Sequence, residues 1–156
     1  MRPRARRYIA YVFAFAAAGA ICATAALSLG TADDAKAMLN KTVAALKADK
    51  AKTLDEINKG ENGFRVGDIY PFCFNLSDGK IVATNADKAN LGVDIRKNKD
   101  ATGDAFGQRI YDAAKEGQIN QASYKFAKPG PDRTPVPKVS FVTAVVGLGC
   151  AVGYYK

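Results

Sequence analysis

Apolar positions along the chain keep two different periods, and the change of period marks out its elements. Leu39, Val43, Leu46, Leu54 and Ile57 are separated by 4, 3, 8 and 3 residues. At 3.6 residues per turn that spacing collects them on one face, which predicts a long amphipathic helix over 33–58. Asp33 and Asp34 suit the positive end of its dipole, and Gly60 and Gly63 follow its end. Lys36, Lys41, Lys47 and Lys52 carry the opposite face, most simply a solvated one.

From 68 onward the period shortens to two. The stretch "DIYPFCFNLSDGKIVA" alternates Tyr70, Phe72 and Phe74, breaks at Ser77-Asp78-Gly79 and resumes at Ile81-Val82-Ala83. This predicts strands at 68–75 and 80–85 joined as a hairpin. A polar, irregular loop covers 87–103, and a loop of that length in a small domain is often functional. Phe106, Ile110 and Ala113 mark a short helix. Alternation returns at 122–126, "KPGPDRTPVP" is a rigid connection, and 138–146 and 148–155 form a hairpin at Gly147. The order predicts an α+β domain: a five-stranded antiparallel sheet, with a short crossover helix on one face and the long helix on the other face or at the edge.

Composition narrows the chemistry. The 156 residues include no histidine, which excludes histidine-dependent triads and histidine-built zinc sites. The acidic residues fall into no metal-ligand spacing, since "NKDATGD" misses the calcium-loop pattern and its distal glutamate. No phosphate-cradling glycine loop and no activated nucleophile are visible, so neither an enzyme nor a cofactor is expected. Lys and Arg number 23 against 15 Asp and Glu. Four of the basic residues, Arg2, Arg4, Arg6 and Arg7, precede the apolar run 8–29 and the small residues Gly30-Thr31-Ala32. That layout predicts a signal peptide over 1–32, or an uncleaved membrane anchor, with cleavage before Asp33 and a competing site at Ala23-Thr24-Ala25. Removing the four arginines leaves 19 bases against 15 acids, a scattered net +4 that does not suggest nucleic-acid binding. Residues 33–156 are expected outside the cytoplasm, in the periplasm.

With these elements in order, 63–156 resembles the single Cache domains of type 2, in the extracellular PAS-like Cache superfamily. The residues that carry the likeness are "DIYPFCFNLSDGKIVAT", "NLGVDI", "KDATGDAF", "ASYKF", "PVPKVSFV" and "GCAVGYYK". The helix at 33–58 stands where such domains have their N-terminal helix, so 33–156 reads as one Cache domain with its sheet core at 63–156. The resemblance implies a PAS-like fold and a pocket for a small molecule, typically a small organic acid. Most relatives sit between two membrane segments of a chemoreceptor or histidine kinase. The sequence shows no second such segment up to Lys156 and resembles the stand-alone exported forms. A signal would then pass to a membrane receptor or histidine kinase. The rival expectation is a ligand-free accessory subunit of an envelope complex.

The candidate ligand-binding residues are Tyr70, Phe72, Thr84, Arg109, Tyr124 and Lys138. Tyr70 and Phe72 share one side of a strand with Phe74, which reads as core. Thr84 stands where many relatives have a histidine and offers an uncharged hydroxyl. Lys138 opens a strand and suits a ligand carboxylate, Tyr124 adds a phenolic hydroxyl, and Arg109 gains a role if the ligand is an acid. In a PAS-like sheet the first and last strands lie side by side, which makes Cys73 and Cys150 a candidate disulfide, with two buried free thiols as the alternative.

Overall fold

The structure, a computed structural model, describes residues 29–100 and 102–156. The predicted leader at 1–32 therefore lies almost wholly outside the described residues. Among those that are described, no helix is long and apolar enough to cross a membrane.

The helical run is interrupted once. Helix α1 spans Ala32–Ala48 and α2 spans Lys50–Lys59. Asp49 between them is extended (φ −153°, ψ 99°), donates its N–H to Ala45 O and accepts Lys52 N–H on its side chain. It closes one helix and caps the next. The break corrects the single helix predicted over 33–58. Its consequence is that α1 lies over β4 and β5 while α2 turns to reach β2. The helix also starts earlier than expected. Thr31 forms a reciprocal capping box with Asp34, and Gly30 N–H donates to Asp68 Oδ1 at 2.7 Å. A cut before Asp33 would remove both contacts. Gly30 also packs so tightly that a Cβ there would stand 2.1 Å from Ile69 Cγ1.

The strands are β1 (Pro71–Asn75), β2 (Ile81–Thr84), β3 (Asn120–Ala127), β4 (Pro135–Val145) and β5 (Leu148–Tyr155), with α3 at Phe106–Ala113. They form one antiparallel sheet in the order β2-β1-β5-β4-β3. The first and last strands are neighbours at its centre, the PAS-like arrangement. Two single 3₁₀ turns, Lys88–Asn90 and Ile95–Lys97, punctuate the polar loop. That loop also shields the β2 edge, where Ile81 N–H donates to Val93 O and Gly92 N–H to Ile81 O.

Each face of the sheet carries a core. Under α1 and α2, Leu39, Leu46 and Ile57 meet Phe141, Leu148 and Val152. On the other face, Ile110 and Phe106 of α3 meet Phe74, Val142 and Ala151. Each of the larger side chains among these, Leu, Ile, Val or Phe, contributes about 1.5–3 kcal/mol relative to exposure. Cys73 pairs in register with Cys150, and the two are joined as a disulfide on the α1 face. Helix α3 is short, and it covers only part of its face. The ends of β3, β4 and β5 beyond it lie under loops instead, and there the fold leaves room.

Candidate ligand-binding site

A cavity of about 610 Å³ occupies that uncovered part of the sheet, between the ends of β3, β4 and β5, the polar loop and the connection following β3. Register builds its floor. Lys138 of β4 pairs with Tyr124 of β3 on one side and Tyr155 of β5 on the other, which sets the three side chains in a row on one face. Gly153 makes room for them. A Cβ at that position would lie 2.6 Å from Lys138 Cε and 2.8 Å from Ser140 Oγ.

Lys138 is the unusual residue. It is 3 % exposed, yet no carboxylate lies within ion-pair distance among the described residues. Among the described residues its ammonium donates only long hydrogen bonds, 3.4 Å each, to the hydroxyls of Tyr70 and Tyr155. Three rings surround it, with centroids at 4.4 Å (Tyr155), 5.1 Å (Tyr70) and 5.3 Å (Phe126). Ring faces attract a cation but replace its hydration only in part. Burial accordingly lowers its pKa to about 8, against a smaller upward pull from Asp68. Asp68 is itself buried, with Oδ1 taken by Gly30 N–H and Oδ2 lacking a hydrogen-bond partner among the described residues.

The walls are polar and aromatic by turns. Tyr124 stacks on Phe106 at 4.6 Å and shares a 2.8 Å hydrogen bond with Ser140 Oγ. Tyr155 donates its hydroxyl proton to Ala127 O at 2.7 Å, so its oxygen lone pairs remain for Lys138. Burial pushes both phenols well above the usual tyrosine value, and that of Tyr70 upward too. All three are neutral hydroxyls at physiological pH. Phe72 of β1 stands opposite Thr84 of β2, and both reach the cavity. Thr84 Oγ1 accepts Ala86 N–H at 3.3 Å and keeps its proton to donate.

Five of the six predicted residues, Tyr70, Phe72, Thr84, Tyr124 and Lys138, therefore line one cavity. Arg109 does not. Asp104 holds its guanidinium in a two-pronged ion pair at 2.6 Å, and a third bond runs to Ser123 O at 2.8 Å. The pair also keeps the Asp104 carboxyl below its ordinary pKa. Phe74 is wholly buried under α3, and the disulfide lies on the opposite face of the sheet.

Sequence reasoning missed Tyr155, Phe106, Phe126, Arg65 and Arg133, all of which line the cavity. Tyr155 carried a usable signal. A two-residue turn at Val146-Gly147 pairs Val145 with Leu148, and counting back along both strands brings Lys138 opposite Tyr155. Arg65 and Arg133 come from loops and carried none.

A family model described as Cache domain matches residues 4–154. The chain matches no curated protein. Among solved structures, a methyl-accepting chemotaxis protein from Vibrio parahaemolyticus superposes with a TM-score of 0.60 at 19 % identity, over 79 % of this chain and 86 % of that one. A periplasmic sensor domain of a chemotaxis protein gives 0.59 at 20 % identity, over 79 % and 88 %. A Cache chemosensory domain studied for carboxylic acid recognition gives 0.57 at 22 % identity, over 77 % and 84 %. At these identities the likeness establishes the fold alone.

Proposed function

The chain belongs to the Cache domain family, and on that premise we propose that it is an exported sensor module that binds a small organic acid and reports occupancy to a membrane partner. Membership points to sensing rather than catalysis. One observation carries the choice of ligand: Lys138 is a buried cation, without a carboxylate partner among the described residues, at the floor of a cavity. An acid ligand supplies the missing charge. Its carboxylate accepts a charge-assisted bond from Lys138 and neutral ones from Thr84 or Tyr70, with its carbon chain against Phe72 and Phe106. That one of the structural relatives is a domain of carboxylic acid recognition agrees with this reading.

The arginine-led apolar leader in the sequence and the periplasmic sensor domain among the relatives support placing it in the periplasm. The reporting element is the loop 87–103, which forms part of the cavity wall and also edges β2. A ligand that draws Lys97, Asn98 or Lys99 inward changes the surface this loop offers to a receptor or histidine kinase. The test is calorimetry on the protein as the cell processes it, against small mono- and dicarboxylic acids. Binding of at least one acid, lost in Lys138→Met and kept in Arg109→Gln, is the expected result. The proposal fails if no acid binds, or if Lys138→Met binds as tightly as the wild type.

A further inference from the structure

The cavity holds more positive charge than one carboxylate needs. Among the described residues, six bases line it (Arg65, Lys97, Lys99, Lys128, Arg133 and Lys138) against a single acid, Asp87. Among the described residues, the ion pairs of the fold are Lys52–Glu56, Lys59–Asp55, Lys80–Asp78, Arg96–Asp94 and Arg109–Asp104. None of these ten residues lines the cavity. The bland explanation is a solvated basic surface. An even scatter of 19 bases and 15 acids would, however, put nearly as many acids as bases around the opening. The basic residues are instead concentrated there, and each lacks an ion-pair partner among the described residues.

Two of them are linked by one ring. Lys138 Nζ is 5.1 Å and Arg65 Cζ 5.8 Å from the centroid of Tyr70, so these charges lie within about 11 Å of each other. Lys138 is at the floor and Arg65 is exposed at the mouth. Arg65 is also held in place, since its Nη1 donates to Asn85 O at 2.7 Å. The rest of its planar fork is left for a carboxylate. A four- or five-carbon diacid, reaching about 2.8 Å to a cation at each end, is long enough to span any separation up to that limit.

We infer that the ligand carries at least two carboxylates, one bound at Lys138 on the floor and the other at Arg65 at the mouth, with Arg65 the residue that selects diacids over monoacids. The inference rests on the organic-acid reading above and adds the second charge. The remaining bases at the rim raise the local concentration of such an anion and make its association fall with ionic strength.

The test is titration calorimetry with matched pairs of equal carbon number, butanoate against butanedioate and pentanoate against pentanedioate, on wild type, Arg65→Gln and Arg109→Gln. The diacid of each pair is expected to bind at least tenfold more tightly. Arg65→Gln is expected to weaken diacid binding about tenfold more than monoacid binding, and Arg109→Gln to change neither. Monoacids that bind as well as diacids overturn this inference and leave the organic-acid reading standing. Equal weakening of both classes by Arg65→Gln assigns Arg65 a merely structural role and also overturns it. If no acid of either series binds to wild type, both readings fall together.

Discussion

Replacing Lys138 by methionine should make the unliganded protein more stable while abolishing ligand binding. The folded environment lowers the lysine pKa from 10.5 to about 8, chiefly by desolvation. At about 1.4 kcal/mol for each tenfold change in the proton equilibrium, keeping the buried charge costs about 3 kcal/mol at neutral pH. Methionine keeps the unbranched apolar stem and removes the charge. It also forgoes the attraction of the Tyr155, Tyr70 and Phe126 rings, so the net gain is about 1–3 kcal/mol at pH 7. The sign with pH follows from the two pKa values. Between about 8 and 10.5 the unfolded chain binds the proton and the folded one does not, so the contribution of this residue to wild-type stability rises with pH across that window. The advantage of the variant is therefore full below pH 8 and shrinks towards pH 10.5. Urea denaturation of both proteins at pH 7 and pH 10, with calorimetry for the acids, reads all of this. A variant less stable than wild type at pH 7, or a gap that does not change with pH, would refute the account of Lys138 as a strained, waiting cation.

Gly153→Ala places a methyl 2.6 Å from Lys138 Cε, and acid affinity should fall at least tenfold with a loss of about 1–3 kcal/mol in stability; unchanged affinity in calorimetry would remove Gly153 from the site. Val146 holds a left-handed conformation (φ 45°) at the β4–β5 turn, so Val146→Asn should raise stability by about 1 kcal/mol, read as a higher urea midpoint. Losing the disulfide through Cys73→Ala with Cys150→Ala should cost about 2–5 kcal/mol, and wild type in reductant should show a comparable fall. A chain beginning at Asp33 lacks the Thr31 cap and the Gly30–Asp68 bond, and should be about 1–3 kcal/mol less stable than one beginning at Ala26. Equal denaturation midpoints for those two chains would mean that the 30–31 segment contributes nothing.

Much of the fold was legible because its signals are local. The change of period from helix to strand spacing located all five strands and the short helix. The Val146-Gly147 turn fixed the closing hairpin. The interruption at Asp49 was not legible from spacing, because Leu46 and Leu54 remain in phase for one straight helix. It takes the sheet beneath to turn α2 away towards β2. The site was partly legible. Tyr124 and Lys138 announce themselves by their chemistry within the strand segments, although β4 begins at Pro135 and so places Lys138 inside the strand and not at its opening. Arg109 offered the same chemistry and was taken up by Asp104, a partner five residues away.

The elements, their order and the surplus of basic residues are written along the chain, since periodicity, turn residues and composition act over a few neighbours or none. That Lys138 is buried and, among the described residues, lacks an acidic partner is instead a product of strand pairing. Its surroundings come from Tyr70 ahead of β1, Phe126 on β3 and Tyr155 on β5, and from a glycine that leaves space. Desolvation depends on every group that displaces water around a charge, however distant in the chain. No local pattern can carry that information, and so the charge that defines this cavity becomes visible only once the strands have paired.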